Sequence, residues 1–182
     1  MKKTTLAKAL ALTVLFSSVA FNASASTKSY VDEASTTASV MSVLAAAKSV
    51  PATDIKVTTY KHMVQLSGFV DAQEQVKDAE KMAKNAVRGI KVRNDLQVKT
   101  KPENAATQYT KDAAITTKIK AKLAGSDGVS ATDIGVNTYN GVVQLSGFVD
   151  SQAAVDKAGE IAKNTDGASK VVNSLITRNS VK

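Results

Sequence analysis

The octet VQLSGFVD occurs twice, at Val64–Asp71 and again at Val143–Asp150, and it is the centre of a much longer repeat. Shifting the chain by 79 places Tyr30 on Tyr109, Ala52–Ile55 on Ala131–Ile134, and Asn94 and Leu96 on Asn173 and Leu175. About 31 of the 71 paired positions from Tyr30 to Thr100 are identical. Two copies of this length are too few and too long for a solenoid. They read as tandem small domains, 30–100 and 109–179, with a tail at 180–182. The polar connector 101–108, KPENAATQ, carries one of the chain's two prolines.

What precedes the repeat reads as a leader. Lys2, Lys3 and Lys8 form a positive start, an apolar run of about 13 residues follows, and Ala23-Ser24-Ala25 supplies small residues before a cleavage point. The expectation is a secretory signal peptide over 1–25, cut between Ala25 and Ser26, then a short tail at 26–29. The run is too short to span a membrane. Loss of the three leader lysines lowers the formal charge from +8 to +5, which is mildly basic. The 182 residues contain no cysteine. That rules out a disulfide scaffold, a thiol nucleophile and a lipid-bearing N-terminal cysteine. A soluble, monomeric protein of the periplasm is the expectation.

Each copy has the pattern of helix, hairpin, helix and strand, so the fold class is α+β: two tandem αββαβ units. In the second copy Ile115, Ile119 and Leu123 recur every four residues and predict an amphipathic helix ending near Gly125. Thr36, Val40 and Leu44 stand there in the first copy, with one apolar residue fewer. Asn140-Gly141 between two alternating apolar runs predicts a tight hairpin, because both central residues need positive φ. Lys61 and His62, the only histidine, occupy that turn in the first copy and read as surface residues.

The octet is then the second hairpin strand. Its period of two puts Val64, Leu66, Gly68 and Val70 on one face, with Gln65, Ser67 and Phe69 on the other. The glycine in the apolar set predicts a bulge or a close approach by a helix. Asp71 and Asp150 suit helix N-caps, with Asp71 and Glu74 at capping-box spacing. A helix of about 16 residues and a last strand at 92–98 or 171–177 complete each unit.

The strand V-x-L-x-G-x-V (Val64/Leu66/Gly68/Val70 and Val143/Leu145/Gly147/Val149), the later V-x-N-x-L (Val92/Asn94/Leu96 and Val171/Asn173/Leu175) and the first-helix aliphatics resemble the BON domain family. The resemblance covers both copies. It implies the αββαβ fold, association with phospholipid surfaces, and no catalytic residues. One departure is the glycine before the last strand, Gly89 in one copy and Gly167 in the other, one position out of register.

Few residues carry chemistry. Nucleophile–base pairs, zinc-type ligand clusters and glycine-rich nucleotide loops are missing from the sequence, so neither an enzyme nor a cofactor is expected. Asp54 with Asp71, and Asp133 with Asp150, could be acid pairs, but a strand start and a helix cap explain them. Aromatics make up 4% of the chain and no RNA-binding signature is present, so nucleic acid is not an expected partner. The remaining feature is Lys77, Lys81, Lys84 and Arg88, spaced along one side of the second helix opposite Val76, Ala79, Ala83 and Ala86. In the second copy these positions become Asp156, Glu160, Lys163 and Gly167. Four cations on one helix side predict weak contact with an anionic phospholipid membrane surface, Glu80–Lys84 being a local pair and Met82 a candidate for insertion. The function expected is non-enzymatic envelope stress protection. The alternatives are a chaperone holding unfolded exported proteins and an adaptor for one folded partner.

Overall fold

Each repeat builds a three-stranded sheet with two helices on one face. The computed structural model describes residues 25–101 and 105–181, so the leader at 1–25 lies outside the described residues except for Ala25. Domain 1 runs α1 (Ala25–Ala46), β1 (Ile55–Tyr60), β2 (Met63–Val70), α2 (Gln73–Ala86) and β3 (Lys91–Val98). Domain 2 repeats it with α3 (Ala105–Ala124), β4 (Ile134–Tyr139), β5 (Val142–Val149), α4 (Gln152–Lys163) and β6 (Lys170–Thr177). The octet strand is central in each sheet, antiparallel to the strand before it and parallel to the strand that α2 or α4 returns to. The αββαβ order is the one the periodicity predicted.

Alternation decides what lies beneath the helices. Val64, Leu66 and Val70 pack with Val40, Leu44, Ala79 and Ala83 in domain 1. Val143, Leu145 and Val149 pack with Ile115, Ile119, Leu123, Ala158 and Ala162 in domain 2. Each fully buried aliphatic contributes about 2 kcal/mol of transfer free energy. Alanine dominates the inward side of α2 and α4 because a short side chain lets the helix lie close to the sheet.

Asn94 and Asn173 pin the crossover helices. Asn94 Nδ2 donates to the Val76 carbonyl at 2.8 Å, and Asn173 Nδ2 to the Val155 carbonyl at 2.9 Å. That explains the V-x-N-x-L motif, whose polar residue ties the last strand to the helix before it.

Several local expectations need correction. The N-caps are Ala72 and Ser151, one residue later than predicted. Gln75 Oε1 accepts from the Asp71 and Ala72 N–H groups, and Ser151 Oγ from Ala154 N–H, which leaves Asp71 and Asp150 for other partners. α2 has 14 residues and ends at Ala86, so Arg88 lies past its end. Gly68 forms no bulge. It pairs in register with Ile55, and the close approach comes from the Asp54 carbonyl in the 3-10 turn before β1, 2.0 Å from where a Cβ would stand. α3 begins at Ala105, inside the stretch read as connector. Val181, read as tail, is buried with Phe148 and Ile176 against Tyr60 and Met63 of domain 1.

Candidate functional site

The sheet faces without helices meet each other. Gln65, Ser67 and Phe69 are buried on one side of this seam, and Gln144, Ser146 and Phe148 on the other. Ser67 Oγ donates to Ser146 Oγ at 2.9 Å, its own counterpart in the repeat. Gln65 Oε1 accepts from Gly147 N–H and Gln144 Oε1 from Gly68 N–H, both at 2.8 Å. Gln65 Nε2 donates to the Ser174 carbonyl and Gln144 Nε2 to that of Asp95. Tyr60 stacks on Phe148 with ring centroids 5.4 Å apart, and Tyr139 on Phe69 at 5.6 Å. Each of these contacts has its mirror 79 residues away, so a pseudo-two-fold axis passes through the serine pair. The polar side of the octet is an interface, which explains why glutamine and serine are fully buried there.

The paired aspartates are part of the same seam. Lys99 Nζ lies 2.6 Å from Asp54 and 3.0 Å from Asp71, and sits over the Tyr139 ring at 5.7 Å. Arg178 repeats this with Asp133 at 3.0 Å and with Asp150, over the Tyr60 ring at 5.5 Å. Each cation therefore holds two carboxylates of its own domain and an aromatic ring of the other. Burial opposes the charge on Lys99, but the hydrogen bonds to Asp54 and Asp71 outweigh it and raise its pKa. For Arg178 the hydrogen bond to Asp150 leads the upward shift. These acids are anchors for cations.

A cleft of about 1010 Å³ opens between β1, β4 and α3. Ile55, Val57, Phe69, Val136 and Tyr139 line it, and exposed Met41 and Tyr109 stand at its rim. Lys56 and Lys120 also line it, and among the described residues neither has an ion-pair partner. Partial burial of its ammonium end, followed by the charge of Lys120, lowers the Lys56 pKa.

The predicted lipid residues lie elsewhere, on the outer face of domain 1. Lys77, Lys81 and Lys84 are exposed along α2, and Arg88 is exposed just beyond it. Lys84 bonds Glu80 at 2.5 Å. That bond, with a second from Asn94, lowers the Glu80 pKa against the opposing effect of burial. Met82 is half-buried against the domain 1 core, so it is not a free inserting side chain. His62 is an exposed turn residue. Ala25 and Ser26, the expected cleavage pair, open α1. Among the described residues no cluster of metal-ligating side chains occurs, and no helix is long and apolar enough to cross a membrane.

Sequence reasoning missed the seam, Lys99 and Arg178. A signal was present: both cations fall at matched positions of the repeat, one residue past a strand that alternates toward the polar side of the octet.

Osmotically-inducible protein Y of Escherichia coli (strain K12) is 42% identical over 149 residues, covering 82% of this chain and 74% of that protein. The 21 kDa hemolysin of Actinobacillus pleuropneumoniae is 34% identical over 118 residues, and the chain spans 59% of its length. Outer membrane lipoprotein DolP of Haemophilus influenzae is 34% identical over 119 residues, and the chain spans 60% of it. The BON domain model matches at 32–100 and 111–179, one match for each αββαβ unit, and the chain belongs to the BON domain family.

Proposed function

We propose that this is a non-enzymatic stress-protection protein of the periplasm that touches anionic phospholipid surfaces weakly and reversibly through the outer face of domain 1. The observation that carries this reading is the opposed arrangement of the two helical faces. Because the bare sheet faces are consumed by the seam, α1 and α2 look one way and α3 and α4 the other, so a flat surface meets one domain at a time. Of the two crossover helices only α2 offers a cation row, Lys77, Lys81 and Lys84 with Arg88 beyond, while α4 presents Asp156 and Glu160 beside Lys157 and Lys163, and α3 adds exposed Lys111, Lys118 and Lys122 to the domain 2 face. At about 1 kcal/mol per cation near an anionic surface, four cations give about 4 kcal/mol. That corresponds to binding in the millimolar range, hence the weak and reversible contact. The likeness to an osmotically inducible protein and to an outer-membrane lipoprotein supports a stress role in the envelope.

Flotation on vesicles of anionic or neutral phospholipid, at low and physiological salt, tests it. The parent chain should float with anionic vesicles and lose binding as salt rises. The variant with Lys77, Lys81, Lys84 and Arg88 changed to Gln should stay behind. Absence of flotation by a folded parent chain would reject the membrane reading.

The cleft favours a second reading, a chaperone for unfolded exported proteins. Residues of β1, β4 and α3 line the cleft, with exposed Met41 and Tyr109 among them, a groove suited to an extended segment. Suppression of client aggregation without lipid, unaffected by the four Gln substitutions, would favour it.

A further inference from the structure

Most of the seam is made by residues that are identical in the two copies. Gln65 and Gln144, Ser67 and Ser146, Phe69 and Phe148, and Tyr60 and Tyr139 would serve equally well if either domain met a second copy of itself. A serine on the axis illustrates why: a hydroxyl both donates and accepts, so it can pair with its own image. Such a face, present twice on one chain, carries a hazard. If domain 1 paired with domain 1 of a neighbour, and domain 2 with domain 2, chains would link end to end without closure.

Two positions close to the axis break the symmetry. Lys56 of β1 corresponds in the repeat to Gly135 of β4, and the two meet: a Cβ on Gly135 would stand 2.4 Å from Lys56 Nζ, 3.2 Å from its Cδ and 2.9 Å from Ser146 Oγ. The lysine therefore lies over the spot its counterpart leaves empty. At the opposite edge Asp95 of β3 corresponds to Ser174 of β6. Gln65 Nε2 reaches the Asp95 carboxylate at 2.7 Å and the Ser174 carbonyl at 2.6 Å, so both residues border the same buried space. Were domain 1 to meet its own kind, two ammonium groups would converge at one end of the seam, and at the other two carboxylates, each already held by Arg93 of its own strand at 2.9 Å, so the lysine end carries most of the repulsion.

We infer that the two domains select each other, and that domain 1 rejects a second copy of itself, because Lys56 faces Gly135 and Asp95 faces Ser174 across the two-fold. Like charges brought together cost far more than a charge facing a small neutral residue, so discrimination comes chiefly from the rejected pairing. Bulk alone does not produce it, because the end of Lys56 is flexible and can move aside for a methyl group.

The test reproduces the rejected pairing inside the full chain. The double variant Gly135→Lys with Ser174→Asp gives domain 2 the axis residues of domain 1. The readout is amide exchange at Gly68 and Gly147, whose N–H groups bond across the seam to Gln144 and Gln65, compared with Leu66 and Leu145 within the sheets. In G135K/S174D the two glycine amides should exchange at least about tenfold faster than in the parent, while the leucine amides keep their protection. G135A, whose methyl displaces the end of Lys56 and crowds Ser146 Oγ, should speed the two glycine amides far less than G135K/S174D does. The exchanged pair K56G/G135K, which restores lysine against glycine from the other side, should recover the parent's protection at Gly68 and Gly147. Unchanged glycine protection in G135K/S174D would overturn the inference, and so would failure of K56G/G135K to recover it. If G135K/S174D loses the leucine protection as well, K56G/G135K alone decides, since it carries the same lysine at 135.

Discussion

Gly68 and Gly147 each serve two contacts from one position. Their φ values, +130 and +127, lie where other residues are strained, and the space a Cβ would take is filled by the carbonyl of Asp54 or Asp133. The N–H meanwhile bonds the glutamine of the other domain. Gly68→Ala should therefore cost about 3 kcal/mol or more, measured by urea denaturation, since strain and a backbone clash add. Lys56 carries a pH signature. Its folded pKa lies below the ordinary 10.5, so the folded chain sheds this proton before the unfolded chain does, and in that interval its contribution to stability improves as pH rises. Lys56→Met should raise the Tm at pH 7 by about one or two degrees, a small gain because the group remains partly solvated. The gain should shrink toward zero as pH climbs through the alkaline range, which a pH series of melting curves would show.

At the scale of elements, the hairpins show how one turn is built from two sequences. Asn140 and Gly141 take φ of +49 and +75, as a two-residue turn demands, whereas in domain 1 Lys61 is forced to +48. Both turns are braced by a carboxylate from the first helix. Asp112 accepts from Asn140 and Gly141 N–H at 2.7 and 2.9 Å, and Glu33 accepts from Lys61 N–H at 2.7 Å. Lys61→Asn should stabilise domain 1 by about 0.5 kcal/mol, because asparagine tolerates the left-handed region better. Asp112→Ala should destabilise domain 2 by about 2 kcal/mol, because two N–H groups at a buried carboxylate lose their acceptor. Chemical denaturation of each variant measures both. The repeat made the hairpin legible, but the brace was not, since Glu33 and Asp112 are remote in sequence from the turns they hold.

For the whole molecule, the seam converts two units of marginal size into one cooperative body. Each domain of about 70 residues sits near the lower limit for a self-sufficient core, and the reciprocal glutamines, stacked rings and cation brackets join the two cores. The parent chain should melt in a single calorimetric transition. Gln65→Ala with Gln144→Ala leaves the Gly68 and Gly147 N–H groups without acceptors and should lower the Tm by about 5 degrees or more. It should also broaden or split the transition. The Lys99 bracket should withstand alkali. Its folded pKa lies above 10.5, so its contribution is complete below that value and fades only as pH passes the raised one.

Duplication, the αββαβ order and the inward side of α1, α2, α3 and both central strands were legible in the residues alone. Each rests on local chemistry: a period of two or four, a turn residue, a run of apolar side chains. The family was legible for the same reason, since its motif is the inward face of the octet strand plus the asparagine that pins the crossover helix. The partner of the outward face was not legible. For Gln65, Ser67 and Phe69 the pattern gives only the opposite face, because alternation separates the two faces of a strand without saying what covers the polar one. Burial of Gln65 and Ser67 needs their mirror images 79 residues away, and only the tertiary structure brings the copies face to face. The roles of Asp71 and Asp150 changed with it, from helix caps to anchors for Lys99 and Arg178, because a carboxylate's partner is decided by which cation the folded chain places beside it.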